Sequence, residues 1–235
     1  MPQLDWLLFD LDGTLSDPAE GFVNSMNHAL AAFDFPQRPA PELTSHIGPP
    51  IERTIADLTG LEDPIRIRAV IDKYRERYAE TGYAENALYP GIAETLQQLS
   101  EIDGIRLGVC TSKRADFAER ILELFGLRAH FEFVSGGDVG IAKWQQLEGL
   151  LAAGTISKHT LMIGDRHFDL TAAHKNGLAA AGVLWGYGSH QELSEHSPRH
   201  LFSKPTELLS LFDREGWPRP GRKPIMPGRF HQPDQ

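Results

Sequence analysis

Trp6-Leu7-Leu8-Phe9-Asp10-Leu11-Asp12-Gly13-Thr14 is the stretch that decides the fold. Four apolar residues run unbroken into two acids, so the run reads as a strand buried on both faces with Asp10 and Asp12 at its carboxyl end. Open α/β sheets bind their ligands at that end of their strands. Two carboxylates this close repel unless a cation lies between them or one is protonated, and an all-oxygen donor set selects a hard ion such as Mg2+. Gly13 permits a sharp turn, and Thr14 adds a hydroxyl or a helix cap.

Outward from this stretch, short apolar runs recur at 105–110, 131–134, 161–163 and 182–185. Helical patterns separate them at 91–102, 114–125, 143–153 and 168–176, the last followed by Gly177 as a cap. The alternation predicts an α/β fold, a Rossmann-like doubly wound parallel sheet. From Pro18 to Tyr89 the alternation stops. Helical patterns at 20–33, 51–58 and 64–81 are separated by Pro36 to Pro41 and by Gly48-Pro49-Pro50, with no convincing strand among them. This reads as an inserted all-helical cap over the carboxyl end of the first strand, where a lid belongs. The expected organisation is a core at 1–16 and 90–212, a cap at 17–89, and a proline-rich, basic tail at 213–235.

Composition narrows the function classes. The 235 residues are 41% hydrophobic, enough for a sizeable core, and carry a formal net charge of -9. No global basic field exists to gather phosphate backbones, so nucleic acid is not an expected partner and an anionic substrate needs a local positive site. One cysteine, Cys110, leaves no disulfide framework and no thiolate metal site; within its apolar run it reads as a small buried hydrophobe. Asp5, Asp10 and Asp12 interrupt the first apolar stretch, and no run approaches the roughly 20 apolar residues that span a bilayer. A cytoplasmic protein without a membrane partner is expected. The oligomeric state is left open.

Asp10-Leu11-Asp12-Gly13-Thr14 resembles the first motif of the haloacid dehalogenase superfamily. Thr111-Ser112-Lys113 follows an apolar run as that family's second motif does. Lys143 opens a helix where the third motif places its lysine, and Gly164-Asp165-Arg166-His167-Phe168-Asp169 resembles the fourth, an acidic pair after a strand. Tyr89-Pro90-Gly91, Ile47-Gly48-Pro49-Pro50 and the string from Gly182 to Ser189 are similar to the phosphoglycolate phosphatase and 5'-nucleotidase-like branch. The resemblance covers roughly residues 4 to 212.

It implies a phosphatase for a small phosphorylated metabolite, with Mg2+ as cofactor. Asp10 is then the nucleophile that forms an aspartyl-phosphate, and Asp12 the proton carrier whose main-chain carbonyl also serves the metal. Asp165 completes the Mg2+ shell, and Asp169 supports it or pairs with Lys143. Lys143 and the Thr111 hydroxyl offset charge on the transferring group. Taken singly, Asp169 also reads as a helix N-cap. Ser112 and Lys113 are expected to touch phosphate from the core side, with Arg53, Asn24 and the Gly48-Pro49-Pro50 turn facing the substrate from the cap. His167 falls outside the oxygen donor set, and Phe168 stands where the family often has histidine. A phosphosugar mutase with the same nucleophile and a non-catalytic protein on the same scaffold are the alternatives.

Overall fold

The computed structural model describes residues 4–212, so the proline-rich tail expected at 213–235 lies outside the described residues. The elements run β1 (Trp6–Phe9), β2 (Ser16–Asp17), α1 (Ala19–Ala32), α2 (Ala40–Thr44), α3 (Ile51–Thr59), α4 (Pro64–Glu80) and β3 (Ala87–Leu88). They continue with α5 (Ile92–Ser100), β4 (Arg106–Thr111), α6 (Ala115–Leu124), β5 (Phe133–Gly136), α7 (Lys143–Ala152), β6 (Thr160–Gly164), α8 (His167–Lys175), β7 (Ala179–Val183), α9 (His190–Ser194) and β8 (His200–Phe202). Six strands form one parallel sheet in the order β5-β4-β1-β6-β7-β8.

The alternation of side chains along β1 explains why both faces of the sheet are covered. Leu7 and Phe9 point to one face and pack with Ile92, Leu96 and Leu99 of α5 and Ala118, Ile121 and Leu122 of α6. Trp6 and Leu8 point to the other and pack with Leu147 of α7 and Leu170 and Ala173 of α8. All four β1 side chains are buried, which is why the strand reads as a continuous apolar run. The chain winds from β1 outward to β4 and β5, then crosses to β6, so the order reverses at β1. That places the carboxyl ends of β1, β4 and β6 side by side, the position where doubly wound sheets bind ligands.

The four helices α1 to α4 gather around a separate apolar cluster that includes Met26, Leu30, Leu43, Ile55, Ile71, Tyr74 and Tyr78. Phe117 of α6 joins that cluster and ties the helical unit to the sheet. Local chemistry sets the helix ends. Asp63 caps α4 by accepting the Ile65 N–H at 3.0 Å, with Pro64 at the first position, and Gly60 closes α3 at φ +70°.

Three expectations change. The 18–89 segment does hold strand, because β3 pairs antiparallel with β2 and the two form the ribbon through which the chain enters and leaves the helical unit. Two residues carry no readable periodicity. The strand expected at 182–185 runs instead from Ala179 to Val183, since the run of three alanines lacks the branched side chains that mark a strand. The proline-rich 36–41 linker gives way to the short helix α2, with Pro41 in its first turn. Among the described residues, no helix is long and apolar enough to cross a membrane.

Candidate active site

Asp10 follows β1 directly, and its N–H donates to the Ile163 carbonyl of β6 at 2.9 Å, which locks the acid between the central strands. Thr111 ends β4, Asp165 follows β6, and Asp169 stands one turn into α8. Lys143, at the first position of α7, reaches back to Asp10 and Asp169. Its Nζ lies 2.9 Å from Asp10 Oδ2 and donates to Asp169 Oδ1. The lysine and these acids are buried, and carboxylate oxygens of Asp10, Asp165 and Asp169 lie within 4.8 Å of one another.

Three buried carboxylates around one ammonium leave an excess of negative charge. Burial, with Asp169 and Asp10 nearby, holds the Asp165 carboxyl well above the usual carboxylate range. Burial also lifts Asp169, and Asp10 adds to the lift while Lys143 opposes it. Such an all-oxygen cluster fits a hard divalent cation. Asp169 is also fixed from behind, as its Oδ2 accepts the Arg166 N–H at 3.1 Å. The expected N-cap role is corrected: Arg166 is the N-cap of α8, and Asp169 sits at the third helical position and reaches back to the cap N–H while pairing with Lys143.

Asp12 stands apart from the three-carboxylate cluster. Its Oδ2 lies 3.0 Å from Lys113 Nζ, while its buried Oδ1 has no protein partner. Burial raises the Asp12 carboxyl, against the pull of Lys113. Lys113, expected at the phosphate, is therefore engaged by Asp12 and by the Tyr78 hydroxyl, to which its Nζ donates at 2.7 Å. The Thr111 hydroxyl accepts the Lys113 N–H at 3.2 Å, which leaves its own proton to donate into the site.

Sequence reading missed the group that shapes Asp165. After β7, the Tyr187 N–H donates to Asp165 Oδ2 at 2.8 Å, and Trp185 Nε1 donates to the Thr14 carbonyl at 2.9 Å. The Tyr187 hydroxyl donates to Asp17 of β2. Backbone passes so close here that a Cβ on Gly186 would stand 2.2 Å from the Gly13 carbonyl oxygen and 2.5 Å from Asp165 Oδ2. Gly13 itself, at φ +81°, would place a Cβ 2.1 Å from the same oxygen. The glycines of the 182–189 string were the available signal. Gln146 was missed as well: its Nε2 donates to the Thr111 carbonyl at 3.2 Å, and polar residues inside an amphipathic helix give no such hint.

A cavity of about 460 Å3 rises from Asp10, Asp12, Thr111, Ser112 and Lys143 toward the helical unit, where Phe22, Ile47, Ile51 and Tyr74 help line it, joined by Val139 from the segment after β5. Arg53 reaches its rim, but its side chain is 66% exposed and pairs with Asp57 across one turn. The Gly48-Pro49-Pro50 turn lines the cavity, whereas Asn24 contacts Glu85 and is not part of the wall. His167 is held by Glu192 at 2.8 Å, beside Phe168. Burial pushes the Cys110 thiol up to about 12, so it stays a protonated hydrophobe.

A sequence profile described as haloacid dehalogenase-like hydrolase matches residues 7–183, three quarters of the chain, with Asp10, Asp12, Asp165 and Asp169 inside the match. The chain belongs to this family. Among haloacid dehalogenase-like relatives, a 5'-nucleotidase of Pseudomonas aeruginosa is 39% identical over 211 residues, covering 88% of this chain and 95% of its own. A protein of Mycobacterium tuberculosis named tyrosine-protein kinase PtkA is 38% identical over 80% of this chain, which spans 64% of that longer protein. A solved haloacid dehalogenase-like hydrolase from Streptococcus pneumoniae superposes with a TM-score of 0.81 at 26% identity, over 90% of this chain and 100% of that one. The parallel order of strands around the buried acid cluster is the haloacid dehalogenase-like core.

Proposed function

We propose that this chain is a Mg2+-dependent phosphatase that hydrolyses a small phosphate monoester through an aspartyl-phosphate on Asp10. The carrying observation is the buried group of Asp10, Lys143, Asp165 and Asp169 at the strand ends, of which Asp10 and Lys143 open onto a cavity large enough for a whole metabolite. Mg2+ would be held by Asp10, Asp165 and the Asp12 carbonyl with Asp169 behind them, and when bound it supplies positive charge to a phosphoryl group in transfer.

The residues divide the reaction into two displacements. A carboxylate oxygen of Asp10 attacks phosphorus in line, the bond from phosphorus to the ester oxygen breaks, and the Asp12 proton passes to that oxygen. Asp12, now a carboxylate, takes a proton from the water that attacks the phosphoryl-aspartate, and free phosphate leaves with Asp10 restored. Lys143, the Thr111 hydroxyl and Ser112 hold the phosphoryl oxygens in place. A raised Asp12 pKa suits it to carry a proton that an ordinary aspartate would lose.

Charge pairing in the cavity bears on the leaving group. Lys143 is matched by Asp10 and Asp169, Lys113 by Asp12, Arg75 by Asp138, Arg53 by Asp57 and Arg114 by Asp116; Lys175 lies over the Trp144 ring. With those cations engaged and an apolar upper wall, the cavity favours a neutral, flat leaving group such as a nucleoside over the carboxylate of phosphoglycolate. The same pairing leaves little to hold the second phosphate of a mutase intermediate.

The test is free phosphate release from a panel of monoesters by the purified protein with Mg2+ and after chelation. Nucleoside 5'-monophosphates are expected to exceed phosphoglycolate in kcat/KM by at least about tenfold, the lower end of what leaving one buried polar group unsatisfied costs. The reverse ranking overturns the substrate class. Release that persists after chelation overturns the metal, and label passing from ATP to a protein tyrosine instead of water overturns the phosphatase.

A further inference from the structure

Helix α7 carries a second buried polar residue, Gln146, three positions after Lys143 and so on the same face. Gln146 reaches the ends of two strands. Its Nε2 donates to the Thr111 carbonyl of β4 at 3.2 Å, and its Oε1 accepts from Ser135 Oγ of β5 at 3.0 Å and from Cys110 Sγ of β4 at 3.9 Å. A carbonyl oxygen only accepts, so the amide nitrogen must face Thr111, and the amide oxygen is thereby turned to Ser135 and Cys110. The side chain has one orientation. A Cβ on Gly137 would stand 3.2 Å from Gln146 Nε2, so the glycine after β5 leaves the amide its room. None of these contacts involves the acid cluster or the helical unit.

We infer that Gln146 is a positioning residue that aims the Thr111 hydroxyl at the transferring phosphoryl group, so that α7 sets two donors at once, Lys143 directly and Thr111 through Gln146. Thr111 is held at two points, its carbonyl by Gln146 and its Oγ1 by the Lys113 N–H, which Oγ1 accepts at 3.2 Å. A β-branched side chain has little χ1 freedom once its backbone is set, so the direction of Oγ1 follows the peptide plane that Gln146 grips. The hydroxyl proton is then left for the cavity, which Thr111 lines. Without Gln146 the Thr111 carbonyl is buried and unpaired, and the main chain at the end of β4 turns to seek another donor. A donor aimed at developing charge works only when held within about 10 to 20° of the productive direction.

This inference rests on the phosphatase reading, and a double-mutant cycle separates the two. Thr111→Val, which removes the hydroxyl and keeps the shape, should lower kcat/KM about 100-fold, the lower end for one lost oxyanion donor. Gln146→Met should lower it about tenfold, the upper end of the net worth of one neutral hydrogen bond. The loss should be alike for p-nitrophenyl phosphate and a nucleoside 5'-monophosphate, because Thr111 serves the phosphoryl group that both esters share. The double variant should match Thr111→Val within about twofold, since Gln146 then has nothing to aim, whereas a merely structural Gln146 gives additive losses of about 1000-fold. Ser135→Ala, which frees Gln146 Oε1, should cost about fivefold alone and nothing beyond Thr111→Val, so it carries the same cycle if melting curves show that Gln146→Met does not fold. Additive losses, or wild-type kcat/KM in folded Gln146→Met, would overturn the inference. A wild-type protein that hydrolyses neither ester overturns the phosphatase reading beneath it.

Discussion

Replacing Lys143 with Met tests the charge balance of the site in the absence of any substrate. The lysine side chain is 5% exposed and neutralises Asp10 at 2.9 Å and Asp169 beside it. Met preserves most of the aliphatic volume, so the change removes the charge with little loss of packing. Three carboxylates within 4.8 Å then share no cation. Removing one partner of a buried pair costs about 3 to 5 kcal/mol, because the remaining charge stays buried. For a chain of this size each kcal/mol moves the midpoint by roughly 2 to 4 °C, so the metal-free variant should melt about 6 to 20 °C below the wild type at pH 8.

The sign with pH follows from the same acids. Asp165 and Asp169 have raised pKa values in the fold, so the native state binds more protons than the unfolded chain above the unfolded carboxylate pKa, and stability falls as pH rises through that window. Lys143 has its own pKa raised: burial works against the ammonium, but Asp10 and Asp169 outweigh it. Its stabilisation is therefore complete below the unfolded lysine pKa, which includes pH 5 and pH 8. In the variant the acids can protonate at low pH, and the deficit in melting temperature should shrink at pH 5. Differential scanning calorimetry in chelator at both pH values reads this out. A deficit under about 2 °C at pH 8, far below the cost of one orphaned buried charge, would refute the reasoning.

Mg2+ at 100 times its pH 8 Kd should raise the wild-type midpoint by about 5 to 11 °C at pH 8, the equivalent of about 2.7 kcal/mol, and the same concentration should raise it less at pH 5, where protons compete for Asp165. Equal shifts at both pH values, or an undiminished shift in Asp165→Asn, would contradict the proposed donor set. Gly186→Ala should lower Mg2+ affinity and phosphate release together, since its Cβ would press on Asp165 and on the Gly13 carbonyl. Overpacking of this kind costs about 1 to 3 kcal/mol, so a variant with wild-type melting and wild-type Mg2+ titration would contradict the close approach.

What the sequence disclosed follows from where its constraints are local. Trp6 to Phe9 announces a strand because both faces of β1 are buried, and Asp10 and Asp12 announce a site because acids rarely end such a run without cause. Lys143 was legible only through its place among four motifs; no periodicity reveals that a helix-opening lysine is buried between two acids. Lys113 was located on the cavity wall, but its engagement by Tyr78 was not legible, because Tyr78 lies 35 positions earlier and is brought near only by packing of α4 against the sheet side. Tyr187, Gln146 and the β2–β3 ribbon stayed hidden for the same reason. Their roles are backbone contacts or two-residue pairings, which leave no signature in composition or period.

The central claim is that Asp10 attacks phosphorus. Phosphate release from p-nitrophenyl phosphate and from a nucleoside 5'-monophosphate should be compared between wild type and Asp10→Asn at saturating Mg2+, with melting curves for both proteins. The account predicts that the variant folds and releases no phosphate above background from either ester. Undiminished turnover by folded Asp10→Asn would contradict it.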